Sequence, residues 1–410
     1  MVKYSLDKEM GEVAVMVFTT SQLIQSFETS IFSELASFKK EKMAQGLHMI
    51  DLSIGSPDLP PPQFIVDALI KNVQDPYAYG YTLTGTKEFY EAVLSFYSKH
   101  YGVSFNPETE IVQMSGSQDG LLHLPMTICN EGDIILVPDP GYTAYADGVR
   151  MAKAVAYPMP LLKENGFLPD MDAIPEEIAQ KAKMMILNFP GNPVPAMANK
   201  AFFEKAVAFA KKYDIALIHD FAYSELVFDG QKPISFLEVE GAFEVGVEFN
   251  SLSKSYNMAG CRIGYMIGNQ QIVEALAKLK SNLDYGVFSP IQTAATVALL
   301  EGDTFLKENK QLYESRRDVL VDGLRAIGWK VERPPATMFM WAEIPKGYTS
   351  KEFAIELIEK AGVVVTPGNA FGPSGEGYVR IALVQSEETL KEAVQKIKNS
   401  GIFKGDFYYG

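Results

Sequence analysis

Apolar runs of strand length alternate with longer helical patterns through the middle of the chain. The strand-like runs are IVQM at 111–114, DIILVP at 133–138, MMILN at 184–188, IALIH at 215–219, VEFN at 247–250 and IGYMIG at 263–268. Segments such as 199–212 and 271–283 carry apolar residues at helical spacing between them. Buried parallel strands read as continuous apolar runs and need helical crossovers, so the alternation predicts an α/β fold with a mostly parallel sheet.

The pattern changes from about residue 300 onward. A long charged helix is predicted at 304–326, followed by short strands and an amphipathic helix at 385–398. Because 410 residues are too many for one ordinary core, we expect two domains. We place a large domain at 62–295 and a smaller α+β domain, completed by N-terminal residues, at 1–61 and 296–410.

Polar residues follow several of the predicted strands. In chain order they are Gly116, Ser117, Gln118, Asn192, Asp220, Ser251, Ser253 and Lys254. The carboxyl ends of parallel strands share one edge of the sheet, and ligands bind in the crevice outside that edge. The sequence therefore predicts that these residues, although far apart along the chain, form one site.

Composition narrows the classes of function. The chain has 37 Lys and Arg against 51 Asp and Glu, a net charge of −14, and no basic run, which argues against nucleic acid or an anionic membrane as partner. Four scattered histidines and the pair Cys129 and Cys261 indicate neither a metal site nor a disulfide framework. No segment has the length of a membrane span or the basic flank of a signal peptide, so we expect a cytoplasmic protein.

The segment SLSKSYNMAGCRIGY at 251–265 indicates a particular chemistry. Alone, Lys254 would be interpreted as a solvated surface amine. Ser251, Ser253 and Arg262 surround it with hydroxyl donors and a fixed cation, however, and Gly116–Gln118 opens a predicted helix whose N-terminal amides would bind the same anion. A phosphate beside a reactive lysine suggests pyridoxal phosphate, and Gly260 is expected to allow a tight turn between the two groups.

That cofactor makes further demands, and the sequence has a candidate for each. Asp220 can pair with the pyridine nitrogen, Asn192 and Tyr223 can reach the ring oxygen, and the ring of Tyr142 can stack on the cofactor. His219 adjoins Asp220 but should point to the opposite face of its strand, so we interpret it as a packing residue.

These residues lie in motifs that resemble a known family. The motifs are SIGSPDLPPP (53–62), YTLTG (81–85), SGSQDGL (115–121), GDIILVPDPGYTAY (132–145), NFPGNP (188–193), IHDFAYSEL (218–226), SLSKSYNMAGCRIGY (251–265), VVTPGNAFG (364–372) and YVRIAL (378–383). In this order and over almost the whole chain, they resemble a class I/II aminotransferase of pyridoxal-phosphate fold type I.

The resemblance implies a role for each matched residue. Lys254 resembles the lysine that bonds the cofactor and moves the substrate proton, and Asp220 and Tyr223 resemble its catalytic partners. Gly116, Ser117, Gln118, Tyr142, Asn192, Ser251, Ser253 and Arg262 match cofactor-binding positions, and Gly55, Asn192 and Arg380 match those that hold the substrate. Tyr81 resembles a tyrosine lent to the neighbouring subunit's phosphate, which implies a homodimer with shared active sites.

Four departures from the family pattern stand out. The usual NPTG is NPVP at 192–195, and Cys261 replaces a tryptophan, which we interpret as a structural change. The shorter loop at 81–85 leaves Tyr79 as a rival to Tyr81, and Phe89–Tyr90 lacks the arginine of a frequent salt bridge.

The predicted activity is transfer of an amino group from an L-amino acid to a 2-oxo acid by a ping-pong mechanism. A carbon–sulfur β-lyase is the enzymatic alternative, since NPV at 192–194 favours it while RIGY and YVR favour transamination. A non-catalytic regulator would carry a DNA-binding segment, which the acidic N-terminus does not resemble. The segments GDIILVPDPGY, NGFLPDMDAIPEE and FAYSELVFDG resemble the LL-diaminopimelate aminotransferase group, and aspartate, alanine or aromatic donors remain open.

Overall fold

The computed structural model describes residues 18–27 and 31–403. The outermost parts of the predicted small domain, 1–17 and 404–410, lie outside the described residues. The strands are β1 (Ile50–Asp51), β2 (Ile111–Met114), β3 (Ile134–Asp139), β4 (Val155–Pro160), β5 (Ala182–Asn188), β6 (Ala216–Asp220), β7 (Gly246–Ser251), β8 (Gly264–Gly268), β9 (Phe339–Glu343), β10 (Val363–Val364), β11 (Thr366–Pro367) and β12 (Tyr378–Ala382).

The helices alternate with these strands along the chain. They are α1 (Gln22–Ser26), α2 (Ile31–Ala44), α3 (Gln63–Val73), α4 (Lys87–Tyr101), α5 (Ser117–His123), α6 (Pro125–Ile128), α7 (Thr143–Met151), α8 (Glu176–Ala179), α9 (Lys200–Tyr213), α10 (Ala242–Val245), α11 (Leu252–Ser255), α12 (Gln270–Leu283), α13 (Ser289–Glu301), α14 (Asp303–Ala326), α15 (Ser350–Ala361) and α16 (Glu387–Ser400). None of the helices that the structure describes is long and apolar enough to cross a membrane.

A seven-stranded sheet forms the larger part of the molecule, in the order β2-β8-β7-β6-β5-β3-β4. Only β8 runs antiparallel to its neighbours, so the other six strands of this sheet point the same way. The prediction of an α/β fold with a mostly parallel sheet is confirmed. The edge strand β4 was not predicted, because it is largely exposed and contains Pro158 and Pro160, which an edge tolerates.

Alternate residues of the central strands supply two cores, one on each face of the sheet. Leu136, Met185 and Leu217 belong to one face, and Ile135, Met184 and Ile218 to the other. Helices such as α4, α9 and α13 cover the first face with their apolar sides. Both faces are therefore dry, and the polar end of each strand is what remains available for a ligand.

The smaller part of the fold is α+β, as predicted. An antiparallel sheet in the order β11-β12-β9 packs with α14, α15 and α16 around Trp329, Phe353 and Leu357. β1, from the N-terminal region, pairs in parallel with β10 and so joins residues 50–51 to this part. The exact domain boundaries at 61/62 and 295/296 stay a prediction.

Candidate active site

A cavity of about 570 Å³ opens at the carboxyl ends of the parallel strands. Its lining includes twelve of the predicted site residues: Gly55, Ser117, Gln118, Tyr142, Asn192, Asp220, Tyr223, Ser251, Ser253, Lys254, Arg262 and Arg380. Two further predicted residues do not line it. Gly116 lies directly behind Arg262, and Tyr81 projects into solvent with 90% of its surface exposed.

Lys254 lies in the short helix α11, immediately after β7. Its amine donates a hydrogen bond of 2.6 Å to the carbonyl of Gly55, which fixes the side chain across the cavity. Burial, with the nearby charges of Arg380 and Arg262, lowers the pKa of the Lys254 amine to about 8, although the charge of Asp220 opposes that shift. The amine is therefore neutral near physiological pH far more often than an ordinary lysine, and the neutral form is the nucleophile.

Asp220 ends β6 as a buried carboxylate. The hydroxyl of Tyr145 donates to Oδ2 at 2.8 Å, and the amide of Ala222 donates to Oδ1 at 3.2 Å. Burial raises the pKa of Asp220 above its ordinary value. The two hydrogen bonds, and the positive charges of His219 and Lys254, oppose that rise.

Serine hydroxyls and a guanidinium form the opposite, anion-binding end. Ser251 caps α11 by accepting a hydrogen bond from the amide of Ser253 at 3.1 Å, and its hydroxyl also donates to that of Ser253 at 2.9 Å. Arg262 is held in the left-handed region at φ 51° and donates to the carbonyls of Ala259 and Ser115. α5 begins at Ser117, as the sequence predicted.

Arg380, on β12, lies buried between the rings of Phe339 and Phe371, with its guanidinium carbon 4.3 and 4.7 Å from their centroids. Its Nη1 donates to Oδ1 of Asn192 at 2.7 Å and its Nη2 to the carbonyl of Ser53 at 2.8 Å. Burial lowers the pKa of Arg380 to about 10, so the group stays charged at neutral pH. Its buried Nε has no partner among the described residues, which leaves a donor free.

The residues present fit pyridoxal phosphate from one end of the cavity to the other. Arg262 and the serines can hold a phosphate, Asp220 can hold a protonated ring nitrogen, and the ring of Tyr142 offers a flat surface between them. Gly116 supplies the space that Arg262 occupies, since a Cβ there would lie 2.5 Å from its Nη2. Lys254 is the amine at the same cavity.

Several functional contacts have no signal in the sequence. Tyr145, which was not a predicted site residue, supports Asp220. Asn188 donates to the carbonyl of Asp220 at 2.7 Å and accepts from the amide of Asn192 at 2.8 Å, so it ties two site segments together. Only the strand-end position of Asn188 could have indicated a role.

The departures from the family pattern also have structural consequences. Tyr90 stands where the family commonly has an arginine. Its hydroxyl accepts from the amides of Gly85 and Gln113 and contacts the Thr84 hydroxyl at 2.9 Å. Burial raises the pKa of the half-buried Cys261, so the thiol stays protonated and packs against the core, consistent with the structural interpretation.

The expectation for Gly260 is wrong. Its backbone is not in the left-handed region, and a Cβ there would meet no atom within 4 Å. Asn257 and Arg262 take the positive φ values of this segment instead, at 56° and 51°. The turn is therefore made by residues on either side of the glycine.

The fold and the site together define a pyridoxal-phosphate-dependent transferase. The profile of the family "Aminotransferase class I and II" matches residues 48–397, and the chain belongs to this family. An LL-diaminopimelate aminotransferase of Halothermothrix orenii is 44% identical over 380 residues, which cover 92% of this chain and 98% of that protein. The enzyme therefore moves an amino group between an amino acid and a 2-oxo acid.

Solved structures agree with this assignment. Substrate-bound BacF from Bacillus subtilis superposes with a TM-score of 0.90 and is 42% identical, covering 93% of this chain and 98% of that one. A probable N-succinyldiaminopimelate aminotransferase from Thermus thermophilus has a TM-score of 0.85 at 36% identity, over 90% of this chain and 100% of that one. Nothing in these relatives favours the carbon–sulfur lyase alternative.

Proposed function

We propose that the amino donor is LL-diaminopimelate or a close analogue and that the acceptor is 2-oxoglutarate or pyruvate, with the two substrates handled in ping-pong order. The observation that supports this donor is the 44% identity to an LL-diaminopimelate aminotransferase over nearly the whole of both chains. Aspartate, alanine and aromatic amino acids are the competing donors.

The side chains of the cavity divide into a cofactor set and a substrate set. Arg262, Ser117, Gln118, Ser251 and Ser253 hold the phosphate, while Tyr142, Asn192, Tyr223 and Asp220 hold the ring. When bound, pyridoxal phosphate supplies an aldehyde that exchanges amines and a ring that accepts the electrons released at the substrate α-carbon. Asp220 keeps a proton on the ring nitrogen by remaining ionised.

Arg380 and the backbone at Gly55 hold the substrate α-carboxylate. The planar fork of the guanidinium can pair with both carboxylate oxygens, which orients the α-carbon as well as binding it. Lys254 Nζ, whose neutral form is well populated near pH 8, removes the α-proton and returns it. Arg380 and Gly55 serve both the donor and the acceptor, because both substrates carry an α-carboxylate.

An absorption spectrum of the purified enzyme tests this assignment. We expect a visible band from bound pyridoxal phosphate that is replaced by the band of the amine form when LL-diaminopimelate is added. Glutamate, alanine, aspartate and N-succinyldiaminopimelate form the comparison panel. If only another donor converts the bound cofactor, LL-diaminopimelate is rejected as the substrate. Release of pyruvate from cystathionine would support the lyase instead.

We also propose that the enzyme is a cytoplasmic homodimer in which Tyr81 reaches the neighbouring subunit's phosphate. Tyr77, Tyr81 and Leu83 are all largely exposed, and the centroid of the Tyr81 ring lies 5.9 Å from that of Tyr285. Tyr79 is the weaker candidate, because its hydroxyl already donates to the carbonyl of Val73 at 2.7 Å.

Mixed dimers test the shared site. Lys254→Ala and Tyr81→Ala each disable a site, but a dimer with one copy of each has one intact site if Tyr81 acts across the interface. Random mixing should therefore restore about a quarter of the wild-type activity. If Tyr81 acts within its own subunit, the mixture will show no gain over the separate variants.

A further inference from the structure

A fully buried pair of ionisable side chains lies behind the cavity. His219 on β6 and Glu248 on β7 are register partners, and His219 Nδ1 is 2.8 Å from Glu248 Oε2. Neither side chain exposes any surface, and neither lines the cavity. The rings of Phe203, Phe221 and Phe236 surround the histidine.

The hydrogen bonds define the protonation state of this pair. His219 Nε2 faces the carbonyl of Phe189 at 3.0 Å, so both ring nitrogens face oxygen acceptors. A neutral imidazole has only one N–H, so both contacts are satisfied either by the imidazolium beside an ionised Glu248 or by a neutral ring that accepts from a protonated Glu248. Glu248 accepts from the hydroxyls of Tyr97 and Ser235 and from a backbone amide, which is the environment of an ionised carboxylate.

The pair supports two segments of the active site. His219 directly precedes Asp220, and through the Phe189 carbonyl it holds the turn that presents Asn192. The charge of His219 also opposes the rise that burial causes in the pKa of Asp220. Besides Asp220, the titratable groups acting on the pair are Tyr97, Tyr265 and Glu238.

Burial of two charges is not required for stability. An apolar pair of similar volume would often be as stable, because the cost of removing two ions from water is large. A charge retained at this place therefore needs another explanation, and the nearest group whose ionisation matters is Asp220.

We propose that His219 is a positioning residue. Its imidazolium, held in place by Glu248, supplies a fixed positive charge behind Asp220 that keeps the Asp220 carboxylate ionised and able to pair with the ring nitrogen of the bound cofactor. This inference rests on the proposed function of Asp220.

Nitrogen NMR of the histidine rings in cofactor-free enzyme tests the charge without any need for activity. The chain has only four histidines, so a His219→Gln variant identifies the signals of His219. We expect both of its nitrogens to carry protons at neutral pH, because both face oxygen acceptors. An unprotonated ring nitrogen at neutral pH would overturn the proposal.

Enzyme loaded with pyridoxal phosphate tests the consequence. The double variant His219→Gln, Glu248→Gln removes both charges and leaves no unpaired buried ion. We expect the acid limb of its kcat–pH profile to move up by about one unit and its affinity for the cofactor to fall about tenfold at pH 6, with recovery at higher pH. His100→Gln is the matched control, since it breaks a His–Asp contact at 3.2 Å outside the cavity.

The outcomes are distinct. An unchanged acid limb and unchanged cofactor affinity in the double variant would reduce the pair to a structural role and overturn the proposal. If the variant does not fold, the NMR result for the wild-type chain decides. Failure of the wild-type enzyme to bind pyridoxal phosphate at all would instead count against the proposed function, while the ring-nitrogen signals of His219 would still report its charge.

Discussion

Replacing Lys39 with methionine should weaken the binding of both substrates without slowing the chemistry. α2 presents Leu35, Ala36 and Lys39 to the cavity, and the Lys39 amine donates to Asp51 Oδ2 at 2.6 Å. The other oxygen of Asp51 accepts from the amide and the hydroxyl of Ser53 at 2.9 and 2.6 Å. The carbonyl of Ser53 in turn accepts from Arg380, so the ion pair connects α2 to the residue proposed to bind the substrate carboxylate.

The magnitude follows from the burial of this pair. A hydrogen bond between charged groups contributes about 1.5–3 kcal/mol. The Lys39 side chain is 29% exposed and that of Asp51 15%, so water can replace part of the lost contact. We therefore expect the substrate-binding free energy to weaken by about 1 kcal/mol. Burial would raise the pKa of Asp51, but the bonds from Lys39 and Ser53 outweigh it and hold that pKa below its ordinary value. Without Lys39 the pKa should rise.

Steady-state kinetics with each substrate varied in turn measures the effect. We expect KM to rise about three- to tenfold for donor and acceptor alike, with kcat within about twofold, because a loss of about 1 kcal/mol of uniform binding appears in KM. Lys40→Met is the control, since Lys40 is the exposed neighbour on the same helix. A rise in KM confined to substrates with a distal charge would show direct contact with Lys39 and refute the positioning argument, as would a fall in kcat alone.

Three further predictions concern the cofactor end. Gly116→Ala should lower the affinity for pyridoxal phosphate about five- to 150-fold, as equilibrium dialysis would measure. The φ of 82° and ψ of 158° at this position are nearly exclusive to glycine, so alanine would be strained by about 1–3 kcal/mol, and its methyl group would displace Arg262. Tyr145→Phe should raise the pKa of Asp220 and lower kcat about tenfold on the acid side of the pH profile, since a hydrogen bond to the ionised form is lost; an unshifted profile would contradict it. The rate at which cofactor-free enzyme takes up pyridoxal phosphate should rise with pH and level off about one unit above the Lys254 pKa of about 8, where most of the amine is neutral. A rate independent of pH in stopped-flow absorbance would reject this.

Gly260→Ala is the natural control for Gly116→Ala. Both glycines lie beside the anion-binding end, but the added methyl at 260 meets open space. Affinity close to wild type in that variant, together with a loss at 116, would show that the effect comes from the conformation and the close approach to Arg262. Equal losses would attribute it to the segment as a whole.

The elements that could be predicted were those whose residues are buried on both sides. The strands β2, β5 and β6 lie within two residues of their predicted bounds, because their apolar runs reflect burial directly. β4 escaped prediction because only one face of an edge strand is covered, and its pattern is correspondingly weak. The strand-end rule likewise located Asp220 and Lys254, since it depends on topology alone.

Contacts between distant segments could not be predicted. Tyr145 and Asp220 are 75 residues apart, and Ser53 and Arg380 are 327 apart. No spacing in the sequence records which hydroxyl or carbonyl will meet which partner after folding. His219 illustrates the same limit, since its neighbours on the chain explain its burial but not the acceptors at both ring nitrogens.

The order of the site residues along the chain sets an order of assembly during synthesis. The proposed cofactor residues of the cavity, and β8 that joins β2 to β7, have all been made once the chain reaches Gly268. Arg380, the side chain proposed to bind the substrate carboxylate, comes only with β12. A growing chain between these points has the residues proposed to bind the coenzyme but lacks the guanidinium proposed to orient an amino acid. Under this proposal, Lys254 is made before the arginine that would hold a substrate against it.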